Sequence, residues 1–233
     1  NALMEAERIT GQTPDPFLER IKRELPHFSV VNDRVAIWEG QDLDVCHRHN
    51  SHLSMIYPFD ITGELNADER KAVDNAVEQW SEWSYPWAAI LQARWGMSES
   101  PSVLLDVWKR LFLNESLATV YLPRVRGISS HRHQDMLKPK ESSEVMQLDG
   151  TMAGATALLE MIVHEKNGVV TLFPALPETW KNLTFKRIRL PGVCVSGSVR
   201  NGNAEVVFES GKTRTIHYRP AWEKEIIPLE LTE

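Results

Sequence analysis

The sequence predicts a mainly α chain: an incomplete ring of helices followed by a small antiparallel β appendage. Apolar residues recur at helical intervals in about five or six segments before residue 176. Several of these segments carry apolar faces too wide for an up-and-down bundle. After residue 176 the texture changes to short alternating segments separated by turn signals. The expected division is a helical region over 1–176 and a β domain over 177–233. No fixed-period repeat of the solenoid kind is present.

Taken in order, Leu3, Ala6 and Ile9, then Phe17, Ile21 and Leu25, recur as on a helix already under way at Asn1. This suggests the later part of something longer, whose export leader would be missing. LNADERKAVDNAVEQW (65–80) offers Asn66 as an N-cap and acids in the first turn, as the helix dipole prefers. WSEWSYPWAAILQARWG (80–96) sets Trp80, Trp83 and Trp87 on one helical face, with Pro86 in the first turn and Gly96 as a stop. PSVLLDVWKRLFLNES (101–116) starts at Pro101 with Ser100 as its cap and aligns Leu104, Trp108 and Leu111. TMAGATALLEMIVHE (151–165) has a small face of Ala153, Gly154 and Ala157 that permits close packing. LFPALPETW (172–180), with two prolines and an aromatic anchor, reads as the linker pinning the β domain to the helices. Beyond it FKRIRL, GVCVSGSVR, NAEVVFES and KTRTIHYR alternate, divided by the turn-formers NGN and SGK.

Composition restricts function. With 233 residues, 42% hydrophobic and 25% charged, the chain can bury one core, or a core and a satellite domain. A formal net charge of -6 argues against a nucleic-acid partner, which needs a basic face for counterion release. The basic run at 185–192 reads as the solvated face of a strand. Cys46 and Cys194, the only cysteines, lie in segments of different character, which disfavours a disulfide framework. No apolar run of membrane-spanning length appears, so no membrane partner is expected.

The stretch HRHNSHLSMIYPFD (47–60) places three of the eight histidines, His47, His49 and His52, around Arg48. Three readings apply. As a metal site its spacing fits neither HExxH nor a finger, and Arg48 opposes a dication, so no metal or cofactor is expected. As structure, the imidazoles would be hydrogen-bonded within a tight loop. As a polar pocket, Arg and neutral His would supply donors for sugar hydroxyls. Trp38, in a loop just ahead, is a candidate stacking platform, whereas Trp80, Trp83 and Trp87 suit a core. Glu39, Asp42 and Asp44 read as solvated acids.

A second cluster, residues 127–168, repeats HRH at His131 to His133 and reaches Asp149 and Gly150 ahead of a helix. Asp149 has two compatible readings. It caps that helix, its charge held by backbone N–H groups, or it is a rigidly placed general base.

In their order, HRHNSHLSMIYPFD, WSYPWAAILQARWG, QLDGTMAGATALLEM and VVTLFPALPETW resemble motifs of glycoside hydrolase family 95, the inverting α-L-fucosidases and α-L-galactosidases. The likeness spans roughly residues 1–200. It implies that 1–176 is the second half of an (α/α)6 toroid, and that the chain hydrolyses a terminal glycosidic bond with inversion. Asp149 then matches the carboxylate base, and Arg48 and His49 match sugar-contacting positions. The substrate-binding set expected from pocket and resemblance together is His47, Arg48, His49, His52, Trp38, His131 and His133. The family's general acid is a glutamate upstream of the HRH motif, outside these residues, so the expected partners are a carbohydrate and the preceding part of the same polypeptide. Family likeness also implies secretion or a periplasmic location. Two departures line the presumed subsite: DGTMA replaces DGNFG, and YLPRVRGISSHRHQDMLKP stands where the family has NLFDAHPPF. They leave the sugar unassigned and motivate an alternative, a sugar-binding or structural relative without catalysis.

Overall fold

A computed structural model describes residues 2–24, 28–43, 50–62, 65–77, 84–120, 146–166 and 168–232. Trp80, Trp83, Asp44 and Cys46 lie outside the described residues. Two short helices, α1 (Ala2–Thr10) and α2 (Pro16–Glu24), carry the two apolar runs at the start. Gly11, at φ 68, and the prolines at 14 and 16 separate them. The hairpin of β1 (Val30–Val31) and β2 (Arg34–Val35) turns through Asn32 and Asp33, both left-handed.

This hairpin docks on α3 (Ala67–Ala76), where Asn75 donates to the Asp33 carbonyl at 2.7 Å. Asn66 and Glu69 form a reciprocal capping box at the start of α3, as the expected N-cap requires. Helix α4 (Tyr85–Trp95) holds Pro86 in its first turn and ends at Gly96, whose φ of 91 is left-handed. Helix α5 (Ser100–Phe112) takes Ser100 as its first residue and not as its cap; the N-cap is Glu99, whose side chain makes no capping bond and accepts from Glu178 N at 3.1 Å. Helix α6 runs Leu148–Ile162.

Two cores lie among the helices. Val35, Leu53, Ile56, Val73, Val77 and Leu91 pack in one, against a half-buried Trp87. The second joins α4, α5 and α6 through Ala89, Ile90, Leu105, Ala157 and Met161. The small face of α6 serves this packing: a Cβ on Gly154 would lie 2.4 Å from the Trp108 ring.

The expectation of a mainly α chain forming half of an (α/α)6 toroid is overturned. Among the described residues six helices accompany nine strands in three sheets, and the helices close no ring. The physical reason begins at the end of α6. The helix expected to reach Glu165 stops at Ile162, where β-branched Val163, and then Val169, Val170 and Thr171, favour extended backbone. Strand β3 (Val163–Lys166) folds back at Gly168 onto β4 (Val169–Leu172). Strand β4 then pairs in parallel with β8 (Arg214–Pro220), which pairs with β9 (Ile227–Leu231). The helical region thus contributes half of a mixed four-stranded sheet, order β3-β4-β8-β9.

The other sheet is the expected meander of β5 (Asn182–Leu190), β6 (Val193–Arg200) and β7 (Asn203–Glu209). Asn201 and Gly202, both at positive φ, form the tight turn announced by NGN. SGK differs: it leads from β7 into the other sheet and makes no hairpin. Lys186, Arg187 and Arg189 are exposed on β5. The linker at 172–180 lies inside the structure. Ala175 is fully buried against α4 and α6, and Phe173 lies edge-on to Phe185 and stacks on Trp222 at 5.8 Å.

Candidate functional site

Asp149 lies in the first turn of α6, after the N-cap Gln147, and so is not the cap that its sequence position suggested. It is exposed, and Oδ1 accepts from the Gly150 N–H at 3.0 Å. Its place is fixed by its neighbours. Thr151 Oγ accepts from Thr119 N at 3.0 Å and lies 3.1 Å from Thr119 Oγ, which also accepts from Trp108 Nε1 at 3.1 Å. The Gln147 N–H donates to the Thr119 carbonyl at 2.7 Å. Thr119 is wholly buried. Thr151, one of the departures from DGNFG, therefore directs its hydroxyl into the scaffold, while Met152 beside it is exposed.

Of the expected sugar-binding residues, His47, Arg48, His49, His131 and His133 lie outside the described residues. His52 belongs to a 3-10 turn, Ser51–Leu53, whose Leu53 is fully buried and anchors it. The imidazole is half-buried, and among the described residues neither ring nitrogen has a hydrogen-bond partner. Burial lowers its pKa to about 4, against an opposing effect of the Asp42 charge, so the ring is neutral near pH 7.

Trp38 is 65% exposed on the loop after β2, paired with Gln41 through a tight turn at Gly40. Asp42 in the same loop is 6% exposed, contrary to its reading as a solvated acid. Its Oδ2 receives Arg34 Nη1 at 3.3 Å and Asn32 Nδ2 at 3.4 Å, and its buried Oδ1 has no partner among the described residues. Trp38 and Asp42 share this loop, and the Asp42 charge acts on the His52 ring. Among the described residues no hydrogen bond or ion pair joins Asp149 to any of them.

A second group escaped the sequence reading. Arg94 on α4 binds Glu160 on α6 with two prongs and reaches Asp60 Oδ2 at 3.5 Å. Lys166 on β3 lies 3.2 Å from Asp60 Oδ1 and donates to Thr62 Oγ at 2.8 Å. The Arg94 guanidinium lies 5.0 Å from the Tyr57 ring centroid. This network ties the YPFD end of the histidine motif to α4, α6 and β3. Burial raises the Glu160 pKa, with Arg94 opposing. Burial, then the charge of Arg94, lowers that of His164 to about 4.

A shallow hollow of about 450 Å³ is lined by Thr179, Trp180, Lys181, Asn182 and Leu183, and none of the described residues expected at the site is among them. Among the described residues no three His, Cys, Asp or Glu side chains converge as metal ligands. Among the same residues no helix is long and apolar enough to cross a membrane. No family model matches the chain, and no curated protein sequence matches it.

Proposed function

We propose that this chain is part of a glycoside hydrolase, fucosidase- or galactosidase-like, that cleaves a terminal glycosidic bond with inversion and uses Asp149 as the base. The supporting observation is the situation of Asp149. The carboxylate is exposed at the start of α6, whose first turn the Thr119, Thr151 and Trp108 scaffold fixes, and among the described residues no hydrogen bond occupies Oδ2. The ordered motifs add the histidine pocket and place the acid upstream in the polypeptide. In such a reaction Asp149 takes a proton from water as its oxygen attacks the anomeric carbon, while an acid about 6.5–9.5 Å away protonates the leaving oxygen. The reading draws nothing from a toroid.

The test is the full-length polypeptide carrying Asp149→Asn, assayed on aryl α-L-fucoside and α-L-galactoside. Turnover falls about a thousandfold while sugar affinity is kept, and proton NMR of the wild-type reaction shows the inverted anomer first. Undiminished turnover, or a retained anomer, overturns the assignment. The alternative, a sugar-binding relative without turnover, draws on Thr151, whose hydroxyl serves Thr119 and not the surface. Binding without hydrolysis in the full-length wild type decides for it.

A further inference from the structure

Glu160 Oε2 is shared by two donors. Arg94 Nε, from α4, lies 2.8 Å from it, and His164 Nδ1, four residues beyond Glu160 in β3, lies 3.5 Å from the same atom. The first contact joins two helices, whereas the second is local. His164 is buried, and its Nδ1 also lies 3.2 Å from the Glu160 carbonyl oxygen, so the ring stays beside the carboxylate in either charge state. While the ring is neutral, Arg94 holds Glu160 with two prongs, because a charged donor makes the stronger bond. A proton on the ring turns it into a second cation at the same oxygen, away from water, where charges compete strongly.

The surroundings decide which cation yields. Arg94 from α4, Lys166 from β3 and Arg219 from β8 all bring positive charge toward the ring. Arg219 stands in line with His164 across the uncharged Thr171 of β4. Against them stand two carboxylates, Glu160 from α6 and Asp60, which pairs with both Arg94 and Lys166. Protonated His164 makes four cations to two carboxylates. Of the four, Arg94 has a second carboxylate within reach, Asp60 Oδ2 at 3.5 Å.

We propose that the polar joint between α4 and α6 is a proton-operated switch, in which protonated His164 draws Glu160 Oε2 into a local pair and Arg94 gives up Glu160 for Asp60. The helices then loosen at this joint while each stays helical. Their remaining contact, through Ala89, Ile90, Ala157 and Met161, is apolar and does not respond to pH. The switch works in acid, because burial, and then the charge of Arg94, holds the His164 pKa down to about 4. It is independent of any role for Asp149.

The test is NMR of the full chain from neutral pH into acid, following the His164 ring and the Arg94 Nε–H, with far-ultraviolet circular dichroism on the same samples. In the wild type the Arg94 signal is expected to shift as the His164 ring takes its proton, with the helical spectrum unchanged. In His164→Asn, which keeps a polar side chain that cannot charge, the Arg94 signal stays in place over the same range. Glu160→Gln sets the released state permanently, so its Arg94 signal is displaced already at neutral pH. Should Glu160→Gln not fold, the wild type and His164→Asn decide alone. An Arg94 signal that stays while His164 titrates overturns the switch, as does one lost only together with the whole helical spectrum. An equal shift in His164→Asn overturns it too, because protonation of Glu160 itself would then be what frees Arg94.

Discussion

Arg94 and Glu160 meet as a bidentate pair, Nε to Oε2 at 2.8 Å and Nη2 to Oε1 at 3.2 Å, with both side chains nearly buried between α4 and α6. Two charges withdrawn from water hold only while each has the other. Removing one leaves its partner buried and unbalanced, which costs more than the pair gains. Arg94→Leu is therefore expected to cost about 3–5 kcal/mol in urea unfolding, because it strands Glu160 and weakens the hold on Asp60. Arg94→Leu with Glu160→Leu should recover most of that loss. A double variant no more stable than the single one contradicts this account.

Acid should weaken the fold through His164 and His52. Both have folded-state pKa values near 4 against an ordinary 6.5, so between those values the unfolded chain binds more protons than the folded one. Stability that is complete above about pH 6.5 is then lost as pH falls toward 4. For His164, which is almost fully buried, the loss amounts to about 3 kcal/mol. Glu160 acts in the opposite direction: its raised pKa lets the folded state keep a proton above 4.5, so its contribution falls as pH rises. The sum is checked by urea midpoints at pH 4.5 and 6.5 for the wild type and His164→Asn. A steep wild-type slope that flattens in the variant is expected; equal slopes exclude His164 as a source.

What could be read from the sequence was local. The Asn66 and Glu69 capping box, the stop at Gly96 and the Asn201–Gly202 turn each involve residues within a few positions, where spacing states the contact directly. The fate of Val163–Lys166 was not of that kind. VHEK continues the apolar rhythm of α6, and its identity as a strand depends on β4 and, through β4, on β8, far along the chain. Asp42 failed for the same reason: a lone acid in a polar loop looks solvated until the hairpin brings Arg34 and Asn32 against it. Trp38 was legible as a loop residue and Asp149 as a residue at a helix start, though Gln147 is the cap; the Thr119 scaffold that fixes this start joins positions 32 residues apart and leaves no mark in the spacing.

Gly154 is expected to tolerate no side chain. A Cβ there would lie 2.4 Å from the Trp108 ring, which is tied to Thr119 and cannot withdraw without breaking that bond. Gly154→Ala should cost about 1–3 kcal/mol through overpacking, despite the better helix propensity of alanine. Thermal unfolding measures the cost, and near-ultraviolet circular dichroism follows the displaced indole. A gain in melting temperature excludes the contact.

Thr151→Val isolates the scaffold from the carboxylate it positions. Valine keeps the shape but removes the oxygen that accepts from Thr119 N and bonds Thr119 Oγ, leaving a buried N–H unsatisfied at about 1–3 kcal/mol. The start of α6 then loosens, and Asp149 with it, because the carboxylate's own bond reaches only the adjacent Gly150. In the full-length polypeptide this separates two kinetic quantities. With Asp149 as the proposed base, KM is expected to change little, whereas kcat is expected to fall about tenfold to a hundredfold because the attacking water would be misplaced. Thr151→Ser restores the oxygen and should restore kcat. A Thr151→Val enzyme with unchanged kcat, or one that Ser does not rescue, shows that the Thr119 bond has no part in placing Asp149.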